Sequence, residues 1–300
     1  MHDKLNAALD KLNAALETQA DMSKPESSHG YTPPAAGIAR ARIVGYFEVG
    51  AHEEDEFNQA GQKTGRKKLK HKVHIVVELS GPKHEPRELE DGTKIPQRIT
   101  IKENYEPGKA PHVKSNFYDL FTKINTATGA NARHMAQLLD KPFLLKIHHK
   151  ESGSGENKRT YALAKGPGKE GYTIMPVSGE GPDGSLYSIH VAPAITPLKY
   201  FLFQLADKEM WDAIYIDGEV PERKDDKGNV TSPARSKNVL QNLIKSAKNF
   251  DKCPIATLVG TGKELDLGDV ERPPRTEAPA PTPSEKAAPA GIELGDDIPF

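Results

Sequence analysis

The sequence contains a single cysteine, Cys253, among 300 residues. One thiol excludes an intrachain disulfide framework and leaves too few thiolates for a cysteine-based zinc site. The chain also lacks any run approaching the roughly 20 apolar residues of a membrane-spanning helix, and residues 1–25 lack the apolar stretch of a secretory signal. These absences predict a soluble protein of a reducing cytosol, without a membrane partner.

Motifs that cradle phosphates or activate nucleophiles are missing as well. The sequence has no Gly-x-x-x-x-Gly-Lys-Ser/Thr loop and no nucleophile elbow. The histidine pairs His71/His74 and His148/His149 would each point to opposite faces of one strand, so neither pair converges on one ion. We therefore expect no catalytic residue, no metal and no cofactor, and we keep a metal-dependent nuclease only as an alternative.

Charge is segregated along the chain although the net charge is only −1. Residues 261–300 carry nine acids against four bases, and residues 1–29 carry five against three, which leaves the remainder at +6. A basic body suits a polyanionic partner, and an acidic tail can compete for the same surface.

Five segments of the body have the alternating or β-branched character of strands, and one helix falls between the third and the fourth. Ser115 is suited to cap that helix, because Phe117, Leu120, Phe121 and Ile124 follow at helical spacing. The predicted strands are residues 38–49, 72–79, 95–102, 142–149 and 158–164. This order is typical of the oligonucleotide/oligosaccharide-binding (OB) fold, a five-stranded Greek-key barrel.

We therefore predict a mainly β protein with added helices. An N-terminal heptad segment and loose linker (1–34) precede the OB barrel (35–184), and an α/β elaboration, mainly helical, packs on the barrel (185–262). In that elaboration we expect a packed helix within 197–216 and a second helix beginning at Ser232-Pro233. A disordered linker rich in proline and alanine (263–291) and an acidic tip (292–300) complete the chain.

The N-terminal segment repeats Asp-Lys-Leu-Asn-Ala-Ala-Leu at residues 3–9 and 10–16. Its leucines alternate spacings of four and three, which places them on one stripe of a helix. Two heptads are too few for a stable isolated helix, so homo-oligomerisation through this segment is a secondary hypothesis.

The chain ends in a short peptide with the chemistry of a docking motif, consisting of Asp296, Asp297, Ile298, Pro299 and Phe300. Phe300 can fill an apolar pocket, Pro299 limits the entropy lost on ordering, and the carboxylates can engage basic groups of a partner. This tip resembles the acidic tip of bacterial single-stranded DNA-binding proteins, in which it recruits replication and repair enzymes. The resemblance implies a protein that coats single-stranded DNA and recruits replication, recombination and repair proteins. A bacterial-type tip on a divergent body would fit a phage-encoded relative acting in the host cytosol.

The residues expected to contact DNA follow from this interpretation. The segment from Gly61 to Lys72 has six cations and no acid, and it joins the first two predicted strands, where an OB barrel flanks its groove. A second loop joins strands four and five. Base stacking requires aromatic faces as well, for which we favour tyrosines, with Phe57 as a further candidate. The expected DNA-binding residues are Lys63, Arg66, Lys67, Lys68, Lys70, Lys72, Lys158, Arg159, Tyr46, Tyr105 and Tyr161.

Two other non-enzymatic functions stay open. An annealing or recombination mediator would share the binding chemistry but accelerate the pairing of complementary strands. An adaptor would bind partners through its tail without meaningful affinity for DNA.

Overall fold

The computed structural model describes residues 32–58, 60–89, 91–154, 158–168, 170–181, 183–224 and 228–260. Four α-helices occur in this part of the chain: α1 (Asn116–Thr128), α2 (Lys208–Ala213), α3 (Val239–Lys245) and α4 (Ala256–Val259). Two 3₁₀ turns span Met135–Leu138 and Phe250–Lys252.

The strands fall into a few long ones and many short ones. The long strands are β1 (Gly37–Phe57), β2 (Lys63–Ser80), β5 (Gln97–Asn104), β6 (Pro142–Ser152) and β7 (Arg159–Leu163). The short strands are β3 (Arg87–Glu88), β4 (Lys94–Ile95), β8 (Lys165–Gly166), β9 (Gly171–Tyr172), β10 (Ile174–Met175), β11 (Ser178–Glu180), β12 (Leu186–Ser188), β13 (Lys199–Phe201), β14 (Glu219–Val220), β15 (Arg223–Lys224), β16 (Val230–Ser232) and β17 (Arg235–Ser236).

The main sheet has the order β10-β6-β1-β2-β5, with β7 added to β6 and β13 added to β1. All of these pairs are antiparallel except β1 with β13. Residues 37–42 of β1 pair with β6, and residues 40–57 pair with β2, so the two pairings overlap at residues 40–42. The sheet is not closed, because β5 and β7 do not pair among the described residues. The hydroxyl of Tyr172 nevertheless donates to Glu103 of β5 over 2.6 Å.

One face of this sheet packs against α1 and forms the main core. Inward side chains of β1 and β2 meet Phe117, Leu120 and Ile124 of the helix. The helix begins where the sequence predicts, because the Ser115 side chain accepts from the backbone N–H of Tyr118. It ends at Gly129, whose φ of 60° suits glycine at a helix C-terminus.

The second face of β1 and β2 is covered by residues from the C-terminal third of the described chain. Val44, Phe47 and Val49 of β1 pack there against side chains from Phe201 to Ala256. Register shifts in β1 around Val44 and Val49 mark β-bulges that turn these residues to this face. The central part of β1 is therefore buried on both sides.

Two buried carboxylates fasten this covering layer. Glu78 of β2 accepts from the backbone N–H groups of Ile195 and Thr196, both at 2.8 Å. Glu48 of β1 accepts from the N–H of Phe203 at 2.9 Å and from the Tyr46 hydroxyl at 3.1 Å. Because hydrogen bonds to charged groups are stronger than neutral ones, these contacts stabilise the layer on the sheet.

The structure confirms the mainly β composition and the helix between the third and fourth long strands, but it differs from the sequence prediction in two places. The helix expected at Ser232-Pro233 is wrong, because Ser232 belongs to β16 and pairs with Arg223; α3 begins at Val239. The helix expected within 197–216 shortens to α2, because residues 199–201 pair in parallel with β1 as β13.

The predicted boundary between residues 184 and 185 falls inside the β11–β12 hairpin. The heptad segment, the tail and the tip lie outside the described residues. Within the described part, no helix has the length and apolar character needed to cross a membrane.

Candidate nucleic-acid interface

The segment predicted as a basic loop is a strand of a long two-stranded ribbon. We define the ribbon as residues 52–57 of β1 and residues 63–72 of β2. The connecting loop is only residues 58–62, and the ribbon extends for roughly 20 Å along β1 at about 3.4 Å per residue. Its outer residues are exposed on both faces, unlike the central part of the same strands. The prediction of a loop is therefore corrected: cross-strand pairing continues through these polar residues.

The ribbon divides the six predicted cations between its two faces. Side chains alternate along a strand, so the even-numbered residues of this part of β2 share one face and the odd-numbered residues share the other. The cationic face carries Lys68, Lys70 and Lys72 of β2 with His52 and Glu54 of β1. The alternation of side chains adds Arg66 and Glu56, which lie at the register shift between Asp55 and Phe57. The paired face carries Lys63, Lys67, Leu69 and His71 of β2, with Glu53, Asp55 and Phe57 of β1.

On the cationic face, Glu54 is shared by two lysines. Lys70 and Lys72 place their Nζ atoms 2.7 and 2.8 Å from the two Glu54 carboxylate oxygens. Partial burial raises the pKa of the Glu54 carboxyl, but the hydrogen bonds from both lysines outweigh this effect, and the pKa lies below its usual value. Within the described residues, Arg66 and Lys68 have no carboxylate within ion-pair distance.

The cationic face continues from the ribbon onto β5. Lys72 pairs with Asn104, and His74 pairs with Lys102, so these residues lie on the same side of the sheet. Lys102 is exposed, whereas burial together with the charges of Lys102 and Lys72 lowers the pKa of His74 to about 3. His74 is therefore neutral near pH 7. The resulting surface has five cations against Glu54 and Glu56, a net charge of +3.

Lys102 was missed as a site residue by sequence reasoning. The alternation of Ile99 and Ile101 would have indicated that Lys102 points away from the main core. The sequence contains no signal for the register that places it beside His74 of β2.

On the paired face, charges cancel within the ribbon. Lys63 Nζ lies 2.6 Å from Asp55 Oδ2, and Lys67 Nζ lies 3.6 Å from Glu53 Oε2. The Lys63 contact lowers the pKa of Asp55. Two apolar side chains, Phe57 and Leu69, are each half exposed, at 50% and 51%. The structure thus separates Lys63 and Lys67 from the other four predicted cations.

The hairpin of β6 and β7 provides a second exposed cationic element. Tyr161 pairs with Lys150, and Arg159 pairs with Ser152 two steps nearer the tip, so Tyr161, Lys150 and Arg159 share one face. Tyr161 is half buried, and both cations are exposed. Lys158 lies 2.8 Å from Glu151 in an ion pair. The hairpin extends past the first residue of β1, Gly37, whereas the ribbon contains the other end of β1, at Phe57.

The other two predicted stacking tyrosines have structural contacts. Tyr46 and Phe47 point to opposite faces as expected, but both are fully buried, because the covering layer occupies the second face. Tyr46 packs in the main core with its hydroxyl on Glu48, so the prediction that it stacks on bases is wrong. Tyr105 stacks on Phe117 at a ring separation of 4.2 Å and is half buried.

The second face of β1 and β2 is occupied by protein along the central part of the two strands. Val76 packs into the second core there, and His74 and Glu78 are buried on the same side. A nucleic acid therefore has access to the ribbon, to the exposed side chains of β5 and to the β6–β7 hairpin.

No group of three or more His, Cys, Asp or Glu side chains within the described residues is arranged to hold a metal ion. His149 contacts the carbonyl oxygen of Pro34 at 2.7 Å, whereas His148 lies 3.7 Å from Glu170.

Comparisons with protein-family models, with curated proteins and with solved structures find no match to this chain.

Proposed function

We propose that this protein binds single-stranded DNA and that the cationic face is its main contact with phosphates. The observation that carries the proposal is the excess of cations on that one face, from Arg66 at the ribbon end to Lys102 on β5. The ion pairs of Glu54 with Lys70 and Lys72 lie at the surface with partly exposed side chains, and surface ion pairs contribute only about 0–1 kcal/mol, so phosphates can replace Glu54 as their partner. Arg66, Lys68 and Lys102 need not break an ion pair with any described residue in order to bind.

Tyr161, Lys150 and Arg159 would form a second contact. An exposed part of an aromatic ring between two cations offers stacking to a base and charge to its flanking phosphates. Because this hairpin and the ribbon lie at opposite ends of β1, one bound DNA strand would have to cross the sheet to contact both.

The proposal includes the fold. Pairing of β1 with both β2 and β6, of β2 with β5 and of β6 with β7, with α1 between β5 and β6, is the order of an OB barrel. Since β5 and β7 do not pair, we infer an open version of that barrel, in which a hydrogen bond from Tyr172 of β9 reaches Glu103 of β5.

The tail supports recruitment of partners. We propose that Asp296, Asp297, Ile298, Pro299 and Phe300 dock replication, recombination and repair proteins, because they resemble the tip of bacterial single-stranded DNA-binding proteins. The linker before the tip would hold it away from the DNA-binding body. A phage-encoded protein acting in the host cytosol fits this combination.

The direct test is equilibrium binding of fluorescent oligo-dT, a duplex of the same length and single-stranded RNA across a salt series. The full chain is compared with a version ending before Gly291. We expect salt-sensitive preference for single-stranded DNA that persists or strengthens without the tail, because the tail's carboxylates compete with phosphates. Equal affinity for single-stranded and duplex DNA would overturn the proposal. Acceleration of complementary-strand pairing would favour the mediator alternative.

A further inference from the structure

The paired face of the ribbon has a composition that its own fold does not require. An isolated two-stranded ribbon gains little from apolar side chains that stay half exposed, yet Phe57 and Leu69 both lie on this face. The four charged residues between and beside them, Lys63, Lys67, Glu53 and Asp55, are joined in ion pairs within the ribbon, and Glu53 also lies 3.6 Å from Lys248 of the covering layer. The ribbon's own residues on this face therefore present apolar area with no net charge.

The paired face continues to a further aromatic ring at the base of the ribbon. The backbone N–H of Tyr105 donates to the carbonyl oxygen of His71 over 3.1 Å. Tyr105 stacks on Phe117 of the main core, on the side of the sheet that the paired face extends. Tyr105, Leu69 and Phe57 thus mark the base, the middle and the end of one side of the ribbon.

The outer edge of β2 is open along the ribbon. Pairing of β2 with β5 ends at Lys72, and no described strand pairs with that edge from residue 63 to residue 70. Along this edge, successive β2 side chains alternate between cations on one face and Leu69 or paired lysines on the other. An extended ligand lying along this edge can contact side chains of both faces, because only the width of β2 separates the two faces.

We infer that unpaired nucleobases contact the paired face while the phosphates of the same strand contact the cationic face. This inference rests on the proposed function and adds where base contact occurs. Nucleobases are flat, uncharged and aromatic, which matches an apolar surface without net charge and the rings of Phe57 and Tyr105. The flat faces of bases are stacked inside a duplex but accessible in a single strand. The paired face thereby confers preference for single strands, and the cationic face confers affinity for any polyanion.

The test compares oligo-dT with an abasic oligonucleotide of the same length, which has the same phosphates but no bases. The variants are Phe57→Ala, the conservative Phe57→Tyr, and Leu258→Ala as a matched control at an exposed apolar residue of α4, outside the ribbon. Thermal unfolding of each variant checks that the fold is retained. We expect Phe57→Ala to weaken oligo-dT binding by roughly 5- to 100-fold, from the usual strength of one base–aromatic stack. Its affinity for the abasic strand and its salt dependence should match those of the unmodified chain.

The controls separate the possible failures. Phe57→Tyr should keep most of the affinity because its ring is preserved, and Leu258→Ala should leave binding unchanged. Equal losses for oligo-dT and the abasic strand, or no loss at all, would overturn the inference while leaving the proposed function intact. Reduced self-association of Phe57→Ala in sedimentation, with unchanged DNA binding, would assign this face to a second copy and also overturn it. No binding of the unmodified chain to either oligonucleotide would instead be a failure of the proposed function.

Discussion

The two halves of strands β1 and β2 differ in how far their side chains are buried. Near the middle of β1, Tyr46 and Phe47 are buried on opposite faces, one in each core. In the ribbon, the same strands have exposed side chains on both faces and are joined by backbone pairing and cross-strand ion pairs. Tertiary burial fixes the first half. The second half has exposed charge and apolar area, which we propose contact single-stranded DNA.

The largest difference between the halves should appear in stability. Phe47→Ala removes a fully buried ring from the second core, and such changes cost about 3–5 kcal/mol. Leu69→Ala in the ribbon should change the free energy of unfolding by no more than about 0.5 kcal/mol, because the side chain is half exposed. Urea denaturation of both variants measures this contrast. Comparable losses would show that the ribbon is part of the cooperative core.

A smaller effect is expected from a change in the ribbon that alters DNA affinity but leaves the free energy of unfolding nearly the same. Glu54→Gln removes the carboxylate shared by Lys70 and Lys72, and surface ion pairs contribute about 0–1 kcal/mol. The variant should unfold nearly like the unmodified chain but bind oligo-dT more tightly at low salt, because two lysines lose a competing anion.

The matched control for this change is Glu53→Gln, which removes a carboxylate from the paired face. It should affect affinity less than Glu54→Gln does. Weaker binding of Glu54→Gln would indicate that Glu54 orients Lys70 and Lys72 for the ligand rather than competing with it.

Much of the fold could be read from the sequence because its long strands and first helix carry local signals. Alternation of Ile99 and Ile101, and Ser115 ahead of an apolar helical stripe, are properties of neighbouring residues. The structure places β5 and α1 at these positions.

What the sequence could not reveal depends on contacts between distant segments. Tyr46 was predicted to face DNA because nothing near it in sequence indicates that it points into the main core, or that the opposite face, where Phe47 lies, is covered by residues beyond 200. Pro233 resembles a helix start locally, but pairing of Ser232 with Arg223 overrides that signal.

The cationic segment was recognised by composition alone. Its division into two faces required the register with Glu53, Glu54 and Asp55, and the inclusion of Lys102 required pairing with β5. The tip at Phe300 lies outside the described residues and stays a prediction from sequence.

The most direct measurement for the central claim is the salt dependence of oligo-dT binding for two sets of ribbon variants. One set replaces Arg66, Lys68 and Lys70 of the cationic face by glutamine, and the matched set replaces Lys63 and Lys67 of the paired face. The slope of log K against log salt is negative, and removing one phosphate-binding cation reduces its magnitude by about 0.7 for a single strand. The first set should therefore reduce the magnitude by about 2. The second set should change it by less than about 1, because we propose that the paired face, where Lys63 and Lys67 are balanced by Asp55 and Glu53, contacts bases rather than phosphates. An unchanged slope in the first set would contradict the assignment of the cationic face as the phosphate-binding surface.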